Sequence, residues 1–143
     1  MSIVAAAVSA VMDALQSAPA VTAQVDRVRL RPLSARTASA VVVRPIQAQV
    51  MGAEMPSGYP YIWIASIAVE CYARSGPSAS PDVAIDDLLS SVYGRLMADP
   101  TLGGAVLALQ PQAVHYEFDG DGESTVCATL QLNARLRSVG ANF

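Results

Sequence analysis

The sequence predicts an α+β fold, a mostly antiparallel β-sheet with two helices packed on one face and a C-terminal β-hairpin. Three observations carry this. Two segments, one near each of Val8 and Leu89, repeat apolar residues at helical spacing. The segments around Val28, Val42, Ile67, Tyr116 and Leu130 alternate, or run as β-branched stretches of strand length. Clusters of Pro, Gly and Ser separate them. At 143 residues the chain is near the commonest domain size, so one domain over residues 1–143 is expected.

Taken in order, Ser2 can cap a first helix whose stripe is Val4, Val8, Val11, Met12 and Leu15, with Pro19 closing it. Residues 25–31 then alternate, with Val28 and Leu30 on one side and Arg27, Arg29 and Arg31 on the other, before Pro32 stops the strand. Residues 38–44 form a short β-branched run ended by Pro45, which residues 46–50 extend as an edge or bent strand. MGAEMPSGYP, residues 51–60, reads as an exposed loop. The long strand of residues 61–73 is largely apolar on both faces at its start, as in a central strand or one covered by a neighbouring subunit.

A turn-rich linker, residues 75–81, leads to the second helix, with Ser80 as N-cap, Pro81 at the first helical position and Asp82 complementing the dipole. Its stripe is Ile85, Leu88, Leu89, Val92, Leu96 and Met97, and Asp86, Asp87 and Arg95 are expected to point away. Asp99-Pro100 ends it, and Gly103-Gly104 permits a further turn. In the hairpin, Val114, Tyr116 and Phe118 share one phase, and the even-numbered residues from Val126 to Leu136 share another. A three-residue loop, Gly120-Asp121-Gly122, matches the two sets and sets Tyr116 opposite Val126 and His115 opposite Cys127.

Composition bounds the function. Apolar residues make up 52% of the chain and charged residues 15%, against roughly 25% charged in an average soluble domain. So few charges cannot coat a lone monomer, and the apolar excess points to subunit contacts; a compositionally biased genome is the competing explanation. All nine basic residues are Arg, a type that suits planar interface contacts. The net charge of −3 leaves no global basic field for tight nucleic-acid binding. Two cysteines without a CxxC pair fit a reduced, intracellular origin, and no run approaches the roughly 18 apolar residues of a membrane span, so no membrane partner is expected.

The search for chemistry returns little. His115 opposite Cys127 is the one pairing that could act as base and nucleophile, and it lacks an evident oxyanion site or orienting third group, so no catalytic residue is assigned. One His and two separated Cys offer no metal spacing, and Asp119, Asp121 and Glu123 resemble a calcium loop only in composition. The glycine pairs match no phosphate-binding motif. No cofactor or metal is expected, and the chain is read as a non-enzyme.

The element order, with the phrases AVVVRP, IAVECYAR and LLSSVYGRLMADPTLGG, resembles the tail terminator proteins of long-tailed bacteriophages over nearly the whole chain; tail-completion and neck proteins are its nearest relatives in kind. The resemblance implies a virion structural protein at the tail–neck junction, made in the host cytoplasm. Its copies would form a ring, usually of six, that docks on the tail tube protein, stops tube growth and offers a surface to the head–tail connector, while DNA passes with weak, non-specific contact. The alternatives are a neck or head-completion protein, or a small ligand-binding or enzymatic domain using His115 and Cys127. Aromatic residues, Met and Arg are enriched at interface cores, so Met55, Tyr59, Tyr61 and Trp63 are the expected apolar anchors of the ring and Arg27, Arg29 and Arg31 the polar ones. The acidic turn of Asp119, Asp121 and Glu123 is the expected lumen or rim element, repelling phosphate.

Overall fold

The computed structural model describes residues 1–27, 38–52, 60–74, 80–118, 125–140 and 142–143. The elements run α1 (Ile3–Gln16), β1 (Val25–Arg27), β2 (Ser39–Met51), β3 (Tyr61–Arg74), α2 (Pro81–Ala98), β4 (Ala108–Phe118) and β5 (Thr125–Ser138). The five strands form one sheet in the order β1-β2-β3-β5-β4, antiparallel except for the β1–β2 pair. Both helices lie on one face, α1 over β2 and β5 and α2 over β3 and β5, and they touch each other. This is the expected α+β arrangement.

Each helix forms where its apolar stripe can reach the sheet. In α1 the Ser2 side chain accepts from the Ala5 N–H at 3.1 Å, and Ala7, Val8, Val11 and Leu15 are buried. In α2 the buried stripe is Ile85, Leu88, Leu89, Val92 and Leu96, as the periodicity predicts. Ser80 holds the N-cap position but makes no capping bond with its side chain; it hydrogen-bonds the Asp82 carboxyl, chief among the bonds that hold that group below its ordinary range. At the other end the Asp99 carboxylate accepts from the Thr101 hydroxyl at 2.8 Å and from the backbone N–H of Thr101 and Gly103. The turn that follows needs φ of +69° and +90° at Gly103 and Gly104, which glycine adopts without a Cβ penalty.

Against these helices the sheet presents Val41, Val43, Ile67, Val69, Leu130 and Leu132, all buried. Fully burying each such side chain contributes about 1.5–3 kcal/mol.

Three expectations change. Arg95 does not point away from the core. It is half-buried, and its guanidinium donates to the backbone oxygens of Ala14 (3.0 Å), Ser17 (2.7 Å) and Pro19. The last carbonyls of a helix have no intrahelical donor, and a planar five-donor group from the neighbouring helix meets that need. Pro45 does not end its strand: β2 runs on past it, with a register shift between Pro45 and Gln47 that leaves Ile46 as the extra residue. Proline is tolerated there because β1 covers only Val41–Val43, so the rest of β2 has no described strand on its outer side. The described part of the first strand spans only Val25–Arg27, and Arg29 and Arg31 lie outside the described residues.

The hairpin register is the third. Phe118 faces Val126, Tyr116 faces Ala128, Glu117 faces Cys127 and His115 faces Thr129. The pairing is displaced by two residues from the three-residue-loop expectation. A two-residue slip keeps every side chain on its own face, so apolar patterning cannot distinguish the two registers.

Val92 is fully buried and Leu89 nearly so, and Val92→Asp or Leu89→Asp would bury an unpaired charge. Either variant is expected to give no soluble folded protein, which expression and thermal melting check; a wild-type melting curve would refute the helix-on-sheet packing. Arg95→Ala should lower stability by about 1–3 kcal/mol in urea unfolding, because the α1 carbonyls lose their donors.

Candidate interaction surface

Order in the sheet decides which apolar residues stay uncovered. β4 is the outer strand beyond β5, and α2 lies over β3 and β5. Val114, Tyr116 and Phe118 project on the helix-covered face, opposite buried Leu130, Ala128 and Val126. Among the described residues α2 lies beside them without covering them. They are 39%, 51% and 62% exposed, increasing toward the end of the strand.

The facing side of α2 is apolar too. Tyr93 and Val83 are exposed. Tyr93 and Leu89 line one groove with Val114 and Leu130, and Val83 and Ile85 line a second with Tyr116 and Phe118. The two grooves lie along the same α2–β4 seam. Beside them runs the open hydrogen-bonding edge of β4. An open edge flanked by exposed aromatic and β-branched side chains is a template for pairing with another chain, and it lies where Pro111 and a register shift at Gln112 interrupt only the first part of the strand.

Of the residues expected at the interface, Trp63, Tyr61 and Arg27 are described, on β3 and β1. Trp63 is half-buried; its indole N–H donates to the Ser138 hydroxyl at 2.9 Å, and its ring lies 4.8 Å from that of Phe143, tilted by 55°. Tyr61, also half-buried, starts the same strand. Arg27 is exposed and donates to the Ser9 hydroxyl of α1 at 3.3 Å. Arg27 is level with Val43 and hence with Val69, six residues or about 20 Å along β3 from Trp63, so these anchors do not form one patch. Met55, Tyr59, Arg29, Arg31, Asp119, Asp121 and Glu123 lie outside the described residues.

Val114, Tyr116 and Phe118 were visible in the sequence as one apolar phase, but that phase implies a core and carries no information about an edge. Tyr93 sits off the α2 stripe and gave no signal of its own.

The opposite, helix-free face carries the polar cluster. Glu70 accepts from the Arg44 guanidinium at 2.5 Å and from the Tyr72 hydroxyl at 2.7 Å. Cys127 lies beside this group, opposite Glu117, and burial pushes its thiol up from its ordinary value. A neutral thiol is a poor nucleophile, and His115 opposes Thr129 rather than Cys127. Cys71 is buried on the core side, its thiol pushed up to about 12. Among the described residues no group of three His, Cys, Asp or Glu could hold a metal ion, and no helix is long and apolar enough to cross a membrane.

No protein family and no curated protein matches the sequence. The fold does have a counterpart among solved structures. It is similar to a chain described as "Virion of native gene transfer agent (GTA) particle", with a TM-score of 0.50 and 13% identity, covering 92% of this chain and 94% of that one. At that identity the likeness is one of fold.

Cys127→Ser and His115→Ala are expected to leave folding and self-association unchanged, as read by circular dichroism and native mass spectrometry. Loss of a function in both variants with fold and assembly intact would return the enzymatic alternative.

Proposed function

We propose that this chain is a structural protein of a phage-like virion, a tail terminator whose copies close into a ring on the end of the tail tube. The observation that carries the reading is the fold shared almost end to end with a chain of a gene transfer agent virion. The α2–β4 seam supports it from the chemistry, because an exposed apolar groove beside an open strand edge is a surface that association covers. A standard interface buries about 800 Å² per partner, an area that an 11-residue edge strand and one side of an 18-residue helix can supply together.

In this reading the α2–β4 surface is the seam between neighbouring copies. Tyr61 and Trp63, at one end of the sheet, serve the axial contact, together with Met55 and Tyr59 of the preceding segment. The ring, six copies by the resemblance, stops tube growth below and receives the head–tail connector above. No step of the role calls for a catalytic group.

Native mass spectrometry of the purified protein should give a closed oligomer, and added tube protein should bind it and stop elongating. Binding to the connector without binding to the tube would make the chain a neck protein instead. A monomer at tens of micromolar that binds neither would overturn the proposal. Tyr116→Ser combined with Phe118→Ser should shift the oligomer toward monomer by at least about tenfold in dissociation constant, the loss of about 1.4 kcal/mol, while the monomer keeps its fold by circular dichroism.

A further inference from the structure

The two faces of the sheet differ in kind. The helix-covered face and the α2–β4 seam hold most of the apolar side chains, while Ala40, Val42, Ala68, Ile62 and Ile64 lie on the other face. The helix-free face instead carries uncharged amides and hydroxyls near its middle: Gln47, Ser66 and Asn133 are level across β2, β3 and β5, with the Ser66 hydroxyl 3.3 Å from Asn133 Oδ1, while Gln49 is level with Ile64 and Arg135, and Gln131 with Ala68 and Arg44. Its only exposed large apolar residues among those described are Met51 at its margin and Ile46 at the bulge.

Charge is also sorted along this face. Glu70 with its partner Arg44, Arg74, His115 and Glu117 all lie toward the end where β3 finishes. Arg135 and Arg137 lie at the other end, level with Ile64 and Ile62. Both are exposed, and among the described residues neither side chain has a hydrogen bond or an ion pair. They project on the same side, two residues or about 7 Å apart.

We propose that the helix-free face lines the channel of the ring, and that Arg135 and Arg137 of each copy form a basic collar at one mouth which engages the phosphodiester backbone of duplex DNA. This rests on the ring reading above. If the seam runs along the sheet edges, one face of every sheet looks inward and the other outward. A helix layer is about 10 Å thick, and in a ring of six each copy gains roughly 10 Å of width over that step in radius, so the helices fit outside and crowd one another inside. The row of Gln47, Ser66 and Asn133 offers no fixed charge to hold a phosphate, so the duplex passes that level freely. The collar supplies a contact of opposite charge at one level only, and such a contact is salt-dependent and indifferent to sequence.

The test uses the assembled ring, its mass established first, and a fluorescent 20-bp duplex followed by anisotropy. Wild-type ring should bind the duplex at 50 mM salt and lose about tenfold or more of that affinity by 200 mM. Arg135→Gln with Arg137→Gln should lose about tenfold at 50 mM while keeping the ring mass, and Arg27→Gln, a charge on β1 away from the collar, should bind as wild type. In parallel, phenylglyoxal modification of Arg135 and Arg137 in the wild-type ring, read by mass spectrometry, should slow when duplex is added. That second readout needs no variant. A ring whose duplex binding is unchanged by the double substitution, or whose two arginines react equally with and without duplex, overturns the collar and leaves the ring reading standing. Absence of a ring overturns both.

Discussion

The rest of the structure depends on β3 being paired on both sides and apolar along the face it turns to the helices. Its backbone is hydrogen-bonded to β5 along its whole length and to β2 over most of it, so its donors and acceptors are met within the sheet. Ala65, Ile67, Val69, Cys71 and Ala73 then present a continuous buried row to the helices. Ala68 is buried on the opposite side. With a spine of this kind, β2 and β5 have fixed registers, and the helices have one floor on which to lie. The outer strands bear the consequences: among the described residues β1 pairs over three residues, and no strand pairs with the outer edge of β4.

That asymmetry accounts for the odd composition. A sheet covered by helices on one face needs apolar residues only there, and few charges elsewhere would leave a monomer poorly coated. Here the shortage of charge has two separate resolutions. The helix-free face keeps its charges toward its two ends and sets amides and hydroxyls between them. The α2–β4 seam is left apolar, which water tolerates badly and a neighbouring subunit tolerates well.

Much of this was legible in the sequence, for physical reasons that also mark where legibility stops. The α2 stripe from Ile85 to Leu96 could be read because a 3.6-residue period over eighteen residues has one meaning, and the long strand could be read because its apolar run is bounded by turn residues on both sides. Periodicity reports a face and says nothing of position within a sheet, so Tyr116 and Phe118 looked like core and are exposed at an edge. It is also blind to a two-residue slip, which is why His115 was set opposite Cys127. Arg95 escaped because its partners are backbone oxygens of another helix, which leave no mark in side-chain pattern. Pro45 was read as a terminator because the bulge that accommodates it is a property of the pair of strands and not of either one. Tyr61 and Trp63 were singled out by residue type alone. Burial then divided Trp63 between the core and an internal contact with Phe143.

The central claim is that the free edge of β4 is the seam between copies. Hydrogen–deuterium exchange reports on it directly, because an unpaired edge exchanges its outward amides quickly and a paired one does not. Exchange should be compared between the assembled oligomer and the same protein diluted below its dissociation. Peptides covering Ala113 to Phe118 should become markedly slower on assembly, together with peptides on the Val83 to Tyr93 side of α2. If exchange in β4 is the same in both states while protection appears elsewhere, the seam does not lie on this edge.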